Sequence, residues 1–334
     1  MFASPAALLF EPRRTLSVTL GEFLATAPVA EEPSATHMNH ISVCICTFKR
    51  PQLLKRLLQE LVAQQTNGLF TYSIVVADND VSRSAESVVL QLAAAPDIPI
   101  AYCVAPQQNI SLARNQAISR ATGDYIAFID DDEFPIQSWL LALFTACNEY
   151  GVDGVLGPVK RHFDETPPQW IVKGNFYERR VYPTGTALDR EEGRTGNVLV
   201  KSLIFQNQEQ PFKPDFRGGG DKEFFRRMIE SGYKFIWSAE AVAYEVVPPI
   251  RWSRTFMLKR ALFRGAHVPL HPTFGPRIVV KSLLAVPTYS LMLPFALLFG
   301  QHWFMKLLVK LCDHLGMLLA LVGIRPMRQP YVTE

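Results

Sequence analysis

Short apolar runs alternate with segments of helical periodicity from Ile41 onward, and this alternation limits the folds open to the chain. The apolar runs cover residues 41–46, 72–77, 100–104 and 125–129. Helical patterns fill the intervals between them, at 51–64, 82–94 and 111–121. Strands and helices that alternate at this spacing predict an α/β domain, with a mostly parallel sheet covered by helices. Ligands of such sheets bind beyond the carboxyl ends of the strands, so the residues directly after each run are the candidate site.

The charge of the chain is divided unevenly between its two parts. Residues 1–245 hold 23 Lys and Arg against 29 Asp and Glu, whereas residues 246–312 hold nine Lys and Arg and no acid. An uncharged stretch of 18 residues, 283–300, lies inside the basic part. Basic residues beside a long apolar stretch favour a membrane surface with anionic headgroups. An acidic front part and this apolar stretch argue against nucleic acid as a partner.

Two common nucleotide-binding classes are excluded by the segment after the first run. This segment reads Thr47-Phe48-Lys49-Arg50-Pro51, and it contains neither GxGxxG nor GxxxxGK[ST]. The chain therefore lacks the dinucleotide fingerprint of a dehydrogenase and the phosphate loop of a P-loop NTPase. Its five cysteines form no CxxC pair, which indicates reduced thiols rather than a disulfide framework or a zinc site.

Four consecutive acids, Asp130 to Glu133, follow the fourth apolar run directly. Like charges at this density repel one another unless positive charge lies among them. Mg²⁺ or Mn²⁺ supplies that charge, because both prefer oxygen ligands and bind through one or two carboxylates plus substrate phosphates. Asp130 and Asp132 are the predicted metal ligands. The alternative is that one acid caps the helix starting near Pro135.

The ordered set of motifs resembles family 2 glycosyltransferases of the GT-A fold over roughly residues 40 to 265. The set comprises the Thr47 to Pro51 segment, Asp78-Asn79-Asp80, the stretch from Asn109 to Asn115, Gly123-Asp124-Tyr125 leading into Asp130-Asp131-Asp132, and the stretch from Gly218 to Phe225. The resemblance implies a Rossmann-like sheet that binds a nucleotide-diphospho-sugar. It also implies a donor-binding set in which Asp78 accepts a hydrogen bond from the base, and this set consists of Thr47, Phe48, Arg50, Asp78, Asp80, Arg114, Asn115, Asp130 and Asp131.

A second pair of carboxylates, Asp221 and Glu223, opens a helical pattern about ninety residues later. A carboxylate at a helix N-terminus beside glycines can be approached closely and is stabilised in its ionised form, as a general base requires. Asp221 is the predicted base. The assignment between Asp221 and Glu223 stays open, because Gly220 stands where the family commonly has Glu. The alternative is a helix cap.

The predicted acceptor-binding residues come from three regions of the sequence. Trp170 suits either an apolar platform for a sugar ring or the core. The resemblance places two stretches, residues 167–170 and 195–198, near the acceptor and the donor sugar. Basic residues follow the catalytic part. The predicted set is Trp170, Gly196, Asn197, Gly219, Gly220, Arg251, Arg260 and Arg264.

The C-terminal part predicts two apolar helices. Residues 282–300 suit the bilayer, whereas Lys306, Lys310 and Asp313 mark one charged face of the second segment, 302–324, and indicate an interfacial amphipathic helix. The alternative is a helix pair that packs on the catalytic domain or on a second subunit. The predicted divisions are a loose extension (1–39), a GT-A domain (40–247), a basic amphipathic linker or helix (248–277) and membrane-associated helices (278–334).

These features predict an inverting, metal-dependent glycosyltransferase. It transfers a sugar from a nucleotide donor, a UDP-sugar, to a lipid-linked saccharide in exopolysaccharide or cell-surface polysaccharide synthesis. The predicted location is the bacterial inner membrane, with the catalytic domain facing the cytoplasm. Two alternatives stay open: a catalytically inactive, nucleotide-sugar-binding membrane scaffold, and a Mg²⁺-dependent phosphatase that uses the acidic cluster.

Overall fold

The computed structural model describes residues 38–93, 98–206, 208–216, 219–270 and 274–324. Nearly all of the predicted N-terminal extension lies outside these residues, so that prediction stays untested. The strands are β1 (Asn39–Thr47), β2 (Phe70–Asp78), β3 (Ile100–Val104), β4 (Tyr125–Phe128), β5 (Glu133–Pro135), β6 (Gly154–Leu156), β7 (Val159–His162), β8 (Val198–Lys201), β9 (Phe235–Trp237) and β10 (Ala243–Val246).

Seven of the strands form the main sheet, in the order β3-β2-β1-β4-β8-β6-β9. Strands β1 to β4 run parallel to one another, and β8 is antiparallel to its neighbours β4 and β6. A second sheet has the order β5-β10-β7 and joins the segment after β4 to the end of the catalytic part. The prediction of a mostly parallel sheet is confirmed.

Helices cover both faces of the main sheet, as the alternating pattern predicts. In α1, Pro51 occupies the first turn and buried leucines recur at 54, 57, 58 and 61, the spacing of one helical face. The helices are α1 (Pro51–Leu61), α2 (Glu86–Ala93), α3 (Ile110–Ile118), α4 (Trp139–Glu149), α5 (Gln169–Lys173), α6 (Gly220–Glu230), α7 (Pro249–Trp252), α8 (Arg254–His267), α9 (Pro276–Leu298) and α10 (Gln301–Leu321), with short 3-10 helices at Ser202–Phe205 and Val268–Leu270.

Two hydrophobic clusters lie on opposite faces of the sheet. The first includes Leu54, Trp139 and Leu143, from α1 and α4. The second is rich in phenylalanines, including Phe128 of β4 and Phe224 of α6, whose rings both contact the ring of Phe212. The second cluster fixes α6 against the sheet, and this places the N-terminus of α6 near the carboxyl ends of the strands.

Helix α10 packs between α8 and α9. A Cβ atom on Gly265 of α8 would lie 2.0 Å from the Asp313 carbonyl oxygen of α10, and one on Gly316 would lie 2.1 Å from that of Leu262. Only glycine therefore permits this close crossing of α8 and α10. Helix α9 packs along the other side of α10, where the Ser282 hydroxyl lies 2.8 Å from Nδ1 of His314.

The charged face of α10 lies partly against α8, whereas Lys310 is exposed. Asp313 accepts two hydrogen bonds from the Arg264 guanidinium of α8, at 2.9 and 2.6 Å. Lys306, Lys310 and Asp313 line a cleft against α8 and residues 174–177. Helix α10 therefore packs on α8 through Asp313, in agreement with the alternative, while the interfacial position of its outer side stays a prediction.

Candidate active site

Four strand ends meet at one edge of the main sheet. In the pairing register Thr47 lies beside Asp78, and Asp78 lies beside Val104, so β1, β2 and β3 end together. Strand β4 ends nearby at Phe128, and the acidic segment 130–133 follows it. Parallel strands that end at a common edge of a sheet form the crevice in which α/β proteins bind ligands.

The acidic segment is folded back against β1 and α1. Asp131 is buried and accepts a hydrogen bond from the Thr47 hydroxyl at 2.8 Å and one from Arg50 Nη1 at 3.0 Å. Burial, opposed by the charge of Arg50, raises the pKa of Asp131 to about 7. Thr47, Arg50 and Asp131 are therefore hydrogen-bonded to one another at the base of the crevice.

Arginine side chains supply positive charge among these acids. Asp132 Oδ2 accepts hydrogen bonds from Arg251 Nη2 at 2.9 Å and from Arg50 Nη1 at 3.4 Å. Arg251 also donates to Glu245 at 2.8 Å, and Arg179 pairs with the other oxygen of Glu245. Arg50 and Arg251 therefore supply part of the positive charge that the sequence predicts among these acids.

Asp130 differs from its neighbours, because its carboxylate accepts no hydrogen bond from the part of the chain that the structure describes. Burial, opposed by the charge of Arg114, raises its pKa to about 6. The charges of Asp132, Asp221 and Glu245 also raise it. A carboxylate that is crowded by other negative charges and lacks a donor has the properties of a cation ligand.

The fit of a divalent metal to this site rests on Asp130 and the free oxygen Oδ1 of Asp132. Among the described residues, no three His, Cys, Asp or Glu side chains are already grouped as a metal site. A Mg²⁺ or Mn²⁺ ion completes its shell with phosphate oxygens and water, so two carboxylates suffice. The chemistry of the residues fits such an ion, with Asp130 and Asp132 as its ligands.

Gly196 approaches the same carboxylates from the loop before β8. A Cβ atom there would lie 2.8 Å from Glu133 Oε1 and 3.0 Å from Asp130 Oδ2, so any side chain would collide with the acidic segment. Arg194, two residues earlier, interacts electrostatically with Glu133 and Asp130. The predicted position of Gly196 at the site agrees with this placement.

The N-terminus of α6 brings Asp221 to the site from the other side. Gly219 caps the helix in the left-handed region with φ of 80°, and Gly220 lies so close to α3 that its Cβ would meet the Ser111 hydroxyl at 3.0 Å. The Asp221 carboxylate is half-buried, and its charge raises the pKa of Asp130. The acids after β4 and the acid that opens α6 therefore face a common space.

Glu223 has a different environment from Asp221. Its Oε1 pairs with Lys213 Nζ at 3.0 Å and with Arg227 Nε at 3.3 Å, and its buried Oε2 has no partner among the residues that the structure describes. Arg227 also donates to the carbonyl oxygen of Pro211. Glu223 thus anchors the segment before α6, which leaves Asp221 as the accessible carboxylate of the predicted pair.

Several predicted donor-binding residues have structural partners. Asn115 exchanges hydrogen bonds with the backbone of Phe212, at 2.8 Å to its carbonyl oxygen and 3.0 Å from its N–H. Asn115 therefore links α3 to the segment before α6, and its donor contact stays a prediction. Arg114 lies over the Phe212 ring, at 5.5 Å, and its charge acts on Asp130.

Asp78 is fully buried at the end of β2. Its oxygens accept hydrogen bonds from the Ala85 N–H at 2.8 Å, the Asp80 N–H at 3.0 Å and the Tyr102 hydroxyl at 3.0 Å. Asp80 in turn accepts from the Ser82 N–H at 3.1 Å. Both acids shape the loop after β2, and a direct base contact by Asp78 stays a prediction. Phe48 is half-buried beside this loop.

Two predicted acceptor contacts are corrected by burial. Trp170 packs with Trp252, Met257 and Met305 in a hydrophobic cluster, so the platform interpretation is wrong in this structure. Asn197 is fully buried in the left-handed region, with φ of 60°. Its amide accepts from Trp139 Nε1 at 2.7 Å and donates to two carbonyl oxygens, which leaves it no atom for a ligand.

The three predicted acceptor arginines divide by position. Arg251 lies in the site and pairs with Asp132 and Glu245. Arg260 is exposed on α8. Arg264 is bound to Asp313 of α10, and its acceptor contact stays a prediction.

Three residues of the site were missed by sequence reasoning: Glu245, Arg179 and Arg194. Glu245 is the only acid in the short apolar run of β10, and this interruption was a usable signal. The two arginines lie in an irregular segment without periodicity, and nothing in their local sequence distinguishes them from surface arginines.

A mostly parallel sheet with one antiparallel strand, and an acidic crevice at its carboxyl edge, define a glycosyltransferase of the GT-A fold. Residues 42–206 match glycosyl transferase family 2. The chain is 34% identical to the succinoglycan biosynthesis protein ExoM of Rhizobium meliloti over 228 residues, which cover 68% of this chain and 73% of that protein. The chain therefore belongs to glycosyl transferase family 2.

Two further proteins are similar to this chain. One is the GalNAc(5)-diNAcBac-PP-undecaprenol beta-1,3-glucosyltransferase of Campylobacter jejuni, 28% identical over 187 residues that cover 54% of this chain and 57% of that protein. The other is the solved structure of a mannosyltransferase from Pyrobaculum calidifontis in complex with GDP-Man and Mn²⁺. Its TM-score is 0.55 at 16% identity, with 89% of this chain and 77% of that chain covered, so it shows the shared fold.

Proposed function

We propose that this protein is an inverting glycosyltransferase. It transfers a sugar from a UDP-sugar to a lipid-linked saccharide during exopolysaccharide synthesis, at the cytoplasmic face of the bacterial inner membrane. The observation that carries the proposal is the convergence of Asp130 and Asp132 with Asp221 at one edge of the sheet. The similarity to ExoM and to the undecaprenol-linked glucosyltransferase supports the acceptor class.

The donor is proposed to bind along the carboxyl ends of β1, β2 and β4. Arg114 reaches this edge from α3, and Phe48 offers a half-buried ring at the edge of the crevice. Asp130 and Asp132 would hold a divalent cation, Mg²⁺ or Mn²⁺, which would supply positive charge to the departing diphosphate. Gly196 leaves the space against Asp130 that a side chain would fill.

Asp221 is proposed as the general base. Its carboxylate accepts one hydrogen bond, at 2.9 Å, from the N–H of Lys222, and it lies in the first turn of α6. It takes the proton from the acceptor hydroxyl while that oxygen attacks the anomeric carbon from the face opposite the diphosphate. One displacement inverts the anomeric centre, so an α-linked donor gives a β-glycoside.

Residues 40–247 are proposed as the catalytic domain, with 248–277 as a basic connection and 278–334 as the membrane-associated part. Helices α7 and α8 lie in the second of these regions, and α9 and α10 lie in the third. Arg251 belongs to α7 yet pairs with Asp132, so the connection contributes directly to the site.

The test is sugar transfer by membranes that contain the full chain. They are incubated with a panel of radiolabelled nucleotide sugars, with Mn²⁺ or Mg²⁺ and with a chelator, and label is counted in extractable lipid. We expect label from one donor, lost with the chelator and in Asp132→Ala, and retained in Glu149→Ala, which alters an exposed acid of α4. Donor binding without transfer or hydrolysis would favour the scaffold alternative, and phosphate release from simple esters would favour a phosphatase.

A further inference from the structure

Helix α9 exposes an unusually large apolar surface. It has 23 residues with a mean hydropathy of 1.6 in its most apolar window, and only 6% of that window is buried. Its inner side contacts α10 through Ser282 and Tyr289. Leu284, Leu291 and Leu298 lie seven residues apart along the outer side, and they are 65%, 72% and 81% exposed.

Two hydroxyl side chains of α9 beyond Lys281 are paired within the helix. The Thr288 hydroxyl donates to the Leu284 carbonyl oxygen at 2.7 Å, and the Ser290 hydroxyl donates to that of Val286 at 2.8 Å. No charged residue occurs between Lys281 and Lys306. The outer side of α9 is therefore able to enter hydrocarbon without leaving a side-chain donor unpaired.

Length alone permits α9 to cross a bilayer, since 23 residues give about 35 Å against a hydrocarbon core of about 30 Å. The packing of α10 opposes a crossing. Helix α10 is docked on the catalytic part from Met305, in the cluster with Trp252, to Gly316, against Leu262. Helix α9 packs along α10, so its axis follows the surface of the catalytic part.

Charged side chains make this docking incompatible with a transmembrane hairpin. Asp313 is bound to Arg264 of α8, and Lys306 and Lys310 line the same cleft. Moving α10 to the middle of a bilayer would either break these contacts or carry α8 with it. Charged groups at that depth are strongly unfavourable.

We propose that α9 lies in the plane of the membrane, embedded in a single leaflet of anionic lipid by its outer apolar side. Basic residues match this occupant. Arg277 and Lys281 begin the helix, and residues 246–312 hold nine Lys and Arg without any acid. Juxtamembrane cations of this kind are attracted to an anionic leaflet. The inference deepens the proposed membrane location by naming how the chain meets the bilayer.

The decisive experiment measures depth at three points of α9. Leu284→Cys, Leu291→Cys and Leu298→Cys are introduced singly into the full chain, spin-labelled and bound to phosphatidylcholine vesicles with and without phosphatidylglycerol. Depth is read from collisions with oxygen and with a nickel chelate. The unaltered chain, labelled in parallel, gives the background of the native thiols. Leu90→Cys, at an exposed leucine of α2, gives the value for a label in water.

An in-plane helix gives the same depth at all three positions, within about 5 Å. A crossing helix gives depths that change over the roughly 21 Å that separate positions 284 and 298. That result overturns the proposal, as do labels that stay exposed to water. Equal shielding of the three labels without vesicles also overturns it, because a second copy of the chain then covers the outer side.

A binding measurement checks the same surface independently. Leu291→Asp places a charge on the outer side of α9, and we expect it to weaken vesicle binding roughly 100-fold. Leu90→Asp changes a leucine on α2 that is 62% exposed, and it leaves binding unchanged. Equal effects of the two substitutions would contradict the proposal. Neither experiment needs a donor or an acceptor, so a failure here leaves the proposed transfer reaction standing.

Discussion

Asp221 and Glu223 are two residues apart, and the structure predicts opposite consequences for neutralising them. Asp221→Asn keeps the size of the side chain and removes the proposed base. A positioned general base contributes about 10²- to 10⁴-fold to a rate, so we expect kcat to fall by that factor with little change in the KM for the donor. Asp221 accepts one local hydrogen bond at 2.9 Å, so the stability should change by less than about 1 kcal/mol.

Glu223→Gln should instead affect stability. The Glu223 side chain is 6% exposed and pairs with Lys213 and Arg227, whereas the two partners are 49% and 28% exposed. Loss of one charge from a buried, hydrogen-bonded group costs about 1–3 kcal/mol, and solvent around Lys213 places the expected value near the lower end. For a chain of this size, such a loss lowers Tm by a few degrees.

The assay combines radiolabel transfer by membranes with thermal unfolding of the purified chain in detergent, for both variants and the unaltered chain. The reasoning is refuted if Asp221→Asn retains transfer within threefold of the unaltered chain. It is also refuted if Glu223→Gln loses transfer a hundredfold at an unchanged Tm, because Glu223 would then be the base.

Three further predictions follow from burial and close packing. Burial raises the pKa of Asp131 to about 7, so between about pH 4 and 7 the native state holds a proton that the unfolded chain has lost. The stability of the fold should therefore fall as pH rises through this range to 7. Asp131→Asn should flatten the plot of Tm against pH between about 5 and 8. Gly316→Ala should lower the free energy of unfolding by about 1–3 kcal/mol, because the added Cβ would lie 2.1 Å from the Leu262 carbonyl oxygen, whereas Gly275→Ala, with open space around it, should change it by less than about 0.5 kcal/mol in denaturant titration. Trp170→Ala should lower stability by about 3–5 kcal/mol in the same titration, and an unchanged stability with a raised KM for acceptor would restore the sugar-platform interpretation.

Local patterns predicted the elements that carry the site. The run 41–46 lies within β1, and the helical pattern that Asp221 opens begins within one residue of the start of α6. Both depend on hydrophobic periodicity, which is a property of neighbouring residues. The position of the acids after β4 was equally visible, since chain order places them at the carboxyl end of a parallel strand.

By itself, the sequence determined the α/β class, the edge of the sheet where the site lies, and the carboxylates that occupy it. The tertiary structure decided which positive groups meet these carboxylates and which predicted ligands are used by the fold. Arg251 pairs with Asp132 across 119 residues, and Asn115 is bound to Phe212 across 97. Trp170 is buried by helices that come more than eighty residues later. Periodicity records only which side of its own element a residue occupies, whereas a partner distant in the chain is fixed by how the elements pack.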